Sequence, residues 1–125
     1  IFVTKEISFG GNKNNSSEVT MDADYLLASE TFRQKEDKYY VYFYDFSDKN
    51  NDVESAITSK LSESRVYRVD IKSGFNSNFM SDTSNVKAQK KEELKINGVT
   101  LIVIENGKNV NYIEGSDNIV TFINK

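Results

Sequence analysis

The chain has 125 residues, 38% of them apolar and 12% aromatic, with a formal net charge of −3. This is the composition of a single folded domain, and with no basic stripe to mark a nucleic-acid surface, nucleic acid is not expected as a partner. Cysteine, histidine, proline and tryptophan are all absent, which excludes a thiol nucleophile, a disulfide, a zinc–thiolate centre and a Ser–His–Asp triad; only calcium or magnesium among carboxylates and carbonyls would suit the chain, and no cofactor is expected.

Residues 1–19 read as a tail. "IFVTKEISF" at 1–9 has the composition of a short edge strand, and "GGNKNNSS" at 10–17 is a linker. The chain opens on Ile1 without a signal-peptide pattern or an apolar run long enough to span a bilayer, so a signal or membrane anchor upstream of Ile1 is left open. Residues 20–125 are the expected domain. Its first element is a helix over about 22–35, from the spacing of Tyr25, Leu26, Leu27 and Phe32 and the acidic residues Asp22 and Asp24 in the first turn.

"YYVYFYDF" at 39–46 is the strongest strand signal. Tyr39, Val41 and Phe43 point one way and Tyr40, Tyr42 and Tyr44 the other. Neither face is polar, so a central strand with helices on both sides is expected. A polar loop leads to a helix at 51–64, with Val53, Ile57 and Leu61 on one face and Asp52 as the expected cap. "RVYRVDI" at 65–71 is the next strand, which makes a βαβ unit with parallel strands.

Residues 73–85 are polar and turn-rich, with Phe75, Phe79 and Met80 spaced for one helical turn pinned to the core. "KAQKKEELKI" follows as a charged face with Leu94 and Ile96 inward. "TLIVI" is a buried strand, Asn106-Gly107 a hairpin turn, "VNYI" the antiparallel return, and "DNIVTFINK" a last helix capped by Ser116 or Asp117 with Ile119, Val120, Phe122 and Ile123 apolar.

Chemistry-bearing residues are scarce. Asp45, Asp48 and Asp52 fall within eight residues but lack the alternation, glycine and terminal glutamate of a calcium loop. Asp45, Asp48 and Asp70 could supply paired carboxylates for acid–base work, although scattered acids at strand ends are usually solvated. Most of the seven tyrosines are expected in the core.

The order βαβ then ββα resembles the thioredoxin-like superfamily. "YYVYFYDF", loop, helix is similar to the strand and helix that carry its active site. "GVTLIVIENGKNVNYIEG" is similar to its cis-proline strand, hairpin and glycine-ended return strand. The resemblance implies an α/β thioredoxin-like fold, with a central mixed sheet flanked by helices. It places the family's two cysteines at Asp48 and Asn51, its buried acidic residue at Tyr42 and its cis-proline at Val99, so every part of the redox machinery is replaced. It therefore implies a redox-inactive, cysteine-less bacterial member that is not a thiol–disulfide oxidoreductase.

What remains is a degenerate loop, Asp48, Lys49, Asn50 and Asn51, and a candidate groove for a protein or peptide, lined by Phe46, Ser47, Gly98, Val99 and Thr100. Capping and turn formation are the plain alternative for the loop. The expected function is a binding or accessory module, with a carboxylate- or cation-dependent enzyme as the alternative. The resemblance also implies a Gram-positive, extracytoplasmic or surface-anchored setting. The Gly98–Val99 bond is expected to be trans, because a cis bond before a non-proline residue costs about 2.5–4 kcal/mol.

Overall fold

The computed structural model describes residues 25–125. The expected strand or tail at 1–9, the linker at 10–17 and the start of the expected helix at 22–35 lie outside the described residues. Four strands build one mixed sheet: β1 (Lys38–Tyr44), β2 (Val66–Asp70), β3 (Thr100–Glu105) and β4 (Lys108–Glu114). Their order across the sheet is β2-β1-β3-β4. β1 runs parallel to β2, with Tyr40 opposite Val66 and Tyr44 opposite Asp70. β3 is antiparallel to both β1 and β4.

Two α-helices accompany the sheet among the described residues, α1 (Asn51–Lys60) and α2 (Ser116–Ile123). α1 ends four residues before the expected 64. Its cap is Asn50 rather than Asp52, the Asn50 side chain accepting from the Val53 N–H at 3.1 Å. Asp52 and Glu54 in the first turn and Lys60 in the last complement the helix dipole. Val53, Ala56 and Ile57 are buried on the inner face, and each large apolar side chain removed from water contributes about 1.5–3 kcal/mol. α2 starts after Gly115, which takes the cap position without a side-chain hydrogen bond, so neither Ser116 nor Asp117 is the cap.

Both helices lie on one face of the sheet, over Tyr40, Tyr42 and Tyr44 of β1 and Leu101 and Val103 of β3. Among the described residues the expectation of helices on both faces is not met. The other face, with Tyr39, Val41, Phe43, Tyr67, Val69, Ile102 and Ile104, is covered by irregular chain carrying Ala28, Ala88, Leu94 and Ile96. Within the described residues 25–35, the expected helix is a 3-10 turn at Ala28–Glu30. Tyr25 instead bridges to Arg68 and the Leu26 N–H donates to the Arg68 carbonyl at 2.9 Å, so pairing to the open edge of β2 outweighs helical propensity there.

The expected turn at 73–85 is a 3-10 helix at Gly74–Phe79. Phe79 and Met80 pack on the core as expected, but Phe75 is 83% exposed. A three-residue spacing turns Phe75 away from the side that Phe79 faces. Leu94 and Ile96 are buried, as expected. The hairpin forms at Asn106 and Gly107, both at positive φ (54° and 80°), as a type I′ turn requires.

Candidate functional site

The sheet register brings several chain ends together. Phe43 of β1 lies opposite Thr100 of β3, and Thr100 opposite Glu114 of β4. The end of β1, the start of β3 and the end of β4 therefore share one edge of the sheet, and α1 and α2 both begin there. The Gly115 N–H donates to the Val99 carbonyl at 2.9 Å, which ties the start of α2 to the strand that follows Val99.

An open cleft of about 340 Å³ lies at this edge, lined by Tyr42, Tyr44, Asp48, Lys49, Asn50, Asn51, Asp52, Val99 and Ser116. All four residues of the expected degenerate loop and Val99 thus meet on one cleft. The other expected groove residues do not line it. Phe46 packs its ring between those of Tyr44 (4.9 Å) and Tyr25 (5.0 Å). Ser47 closes a turn on Asp45. Thr100 is buried in β3, its hydroxyl donating to the Gly98 carbonyl at 3.2 Å. Gly98 carries the change of direction at φ 75°, and the Gly98–Val99 bond is trans, as expected.

The acidic residues are engaged separately. The Asp45 carboxylate accepts from the Ser47 hydroxyl (2.7 Å) and the Ser47 N–H (2.9 Å), and these bonds hold its pKa below the usual carboxylate range. The Asp70 carboxylate accepts from the N–H groups of Lys72 (3.0 Å) and Phe46 (3.4 Å). Among the described residues no three Asp, Glu, His or Cys side chains come together in a way that could hold a metal ion. The Asp45, Asp48 and Asp52 grouping therefore does not form a cation centre.

Periodicity puts Tyr42 and Tyr44 in the core, and the resemblance adds that Tyr42 stands where the family has its buried acidic residue. Their rings stack at 4.3 Å and 16°, beneath the cleft. The Arg68 guanidinium lies 5.9 and 6.0 Å from the two ring centres and is paired with Glu54 at 2.7 Å. Burial pushes both tyrosine hydroxyls to higher pKa than usual, so both stay protonated at neutral pH. Tyr42 is 0% exposed, and its hydroxyl has no hydrogen-bond partner among the described residues. Alternation along β1 puts residues 42 and 44 on one face at the loop end of the strand, which is the signal that could have placed them at the site.

Comparison with protein-family models, curated proteins and solved structures finds no match. Among the described residues no helix is long and apolar enough to cross a membrane.

Proposed function

We propose that this chain is a thioredoxin-like domain without redox chemistry that binds an extended peptide or a protein segment as an accessory module. The absence of cysteine rules out thiol–disulfide exchange. The strand order β2-β1-β3-β4, with α1 between the parallel strands and α2 after the hairpin, supports the resemblance seen in the sequence.

The observation that carries the functional reading is the cleft itself. The loop 48–51 and Val99, far apart in sequence, wall one opening with an aromatic floor and a polar rim. A concave site with a few convergent polar groups is the usual form of a ligand site. Its openness to one side suits a chain lying across it better than an enclosed small molecule.

The test is selection from a displayed library of unstructured peptides, followed by affinity measurement on the chain and on Asn51→Trp. Asn51 is exposed, so the bulky side chain fills the cleft without entering the core. Selected peptides are expected to bind the natural chain and to lose binding to the variant. A library that yields no binder, or binders indifferent to Asn51→Trp, overturns the reading.

A further inference from the structure

The Tyr42 hydroxyl is a buried donor with no acceptor among the described residues. Native proteins keep few such groups, because an unpaired buried donor loses its hydration for nothing in return. Phenylalanine would fill the same volume without that cost. Tyr42 lines the cleft, where two helices begin: α1, whose Asn50 cap serves Val53, and α2, whose N-terminus no side chain caps. The first turns of the two helices leave backbone N–H groups without intrahelical acceptors, and Asn51, Asp52 and Ser116 of those turns line the cleft. The site is thus rich in donors and short of acceptors at its floor.

A ligand suited to it brings an acceptor. A cation brings none. An anion would sit close to the exposed carboxylates of Asp48 and Asp52, with only Lys49 to offset them. A neutral amide carbonyl satisfies the donors without adding charge, and an extended peptide main chain presents such carbonyls at regular intervals. We propose that the cleft holds a main-chain carbonyl oxygen of a bound peptide, accepting a hydrogen bond from the Tyr42 hydroxyl between the first turns of α1 and α2. This rests on the peptide-binding reading above and names the group that the cleft recognises.

The experiment uses the chain and Tyr42→Phe, with a blocked dipeptide, N-acetyl-alanyl-alanine N-methylamide, and acetate as probes. Amide chemical shifts and Tm are the readouts. In the free protein Tyr42→Phe is expected to raise Tm, since it deletes the unpaired donor. The dipeptide is expected to shift the Asn51, Val99 and Ser116 amides of the natural chain, and to bind Tyr42→Phe about tenfold more weakly, the loss of one good hydrogen bond. A Tm lowered by Tyr42→Phe overturns the inference, because the hydroxyl is then satisfied in the free protein. So does equal binding of the dipeptide to both proteins, or preference for acetate. If the dipeptide fails while library-selected peptides still bind, this inference alone falls; if neither binds, the peptide-binding reading falls with it.

Discussion

The two faces of the sheet are covered in different ways. On one, α1 and α2 lay regular apolar stripes over Tyr40, Tyr42, Tyr44, Leu101 and Val103. A helix satisfies its own backbone, so it has only to match shape with what lies beneath. On the other, irregular chain from 26–32 and 71–96 covers Tyr39, Val41, Phe43, Ile102 and Ile104. Such chain has backbone groups to satisfy at every step, and side chains satisfy them. Asn76 accepts from the Ala28 N–H and donates to the Asp70 carbonyl, both at 2.8 Å. The Tyr39 hydroxyl donates to the Thr31 carbonyl at 2.7 Å, and Asn85 to the Glu93 carbonyl at 3.0 Å. Gln89 bonds both backbone groups of Asn109 on β4, beside the bulge at Val103 and Ile104, and so covers part of that open edge. One face is held by shape and the Arg68–Glu54 pair between β2 and α1, the other by shape and a set of polar fasteners to irregular backbone.

Alkaline pH tests both faces at once and has the largest expected effect. Burial raises the pKa of Tyr42 and Tyr44 on the helical face and of Tyr39 and Tyr67 on the other, and pushes Tyr112 to about 12. In the unfolded chain tyrosine ionises near pH 10. The unfolded state therefore sheds protons that the folded state retains, and stability is full below about pH 10 and falls as pH rises toward the folded values. Tyrosinate absorbance and far-UV circular dichroism are expected to change together in one cooperative transition. If most of the absorbance change preceded the loss of structure, the hydroxyls would be solvated and the fasteners absent.

A matched pair of truncations then compares the faces directly. Leu101 and Ile102 are neighbours on β3, both fully buried, and point to opposite faces. Leu101→Ala and Ile102→Ala are each expected to cost about 2–5 kcal/mol in chemical denaturation. A much smaller loss for Ile102→Ala would mean that the irregular cover is loosely packed and the two faces are unequal.

How legible each face was in the sequence follows from the same difference. β1, α1, the Asn106-Gly107 hairpin and α2 announce themselves by alternation, by the 53, 57, 61 spacing and by turn chemistry. The cover at 26–32 and 71–96 has no sustained period to read. Asn76, Asn85 and Gln89 look like ordinary polar residues until the backbone groups they serve are known, and Tyr25 to Phe32 looks helical because pairing to the edge of β2 is not written locally. At the candidate site, loop 48–51 and Val99 came from the resemblance. The resemblance put Tyr42 at the site only as a lost acidic position, while Tyr44 and Ser116 escape notice because a strand tyrosine reads as core and a serine before a helix as a cap.

Removing a fastener is the next largest effect. Asn76 is only 1% exposed, and Asn76→Ala strands a backbone donor and an acceptor. The expected loss is about 2–4 kcal/mol. On the helical face the comparable change, Asn50→Ala, removes one cap bond at a partly exposed position and is expected to cost about 1 kcal/mol. Equal losses would erase the distinction between the two covers.

The smallest effect is expected at Phe75, next to the most tightly held asparagine. Ser73 accepts from the Phe75 N–H at 3.3 Å and Ser77 donates to the Gly74 carbonyl at 2.9 Å, so the turn is fixed by polar bonds on either side of the ring. The ring itself is 83% exposed and contributes little burial. Phe75→Ser is therefore expected to change stability by no more than about 0.5 kcal/mol, while Asn76→Ala one residue on has several times that effect. A large loss on Phe75→Ser would show that the ring packs on the core after all, and that the spacing of Phe75, Phe79 and Met80 means one shared apolar face. A negligible loss leaves the fastener as the part of this turn on which the fold depends.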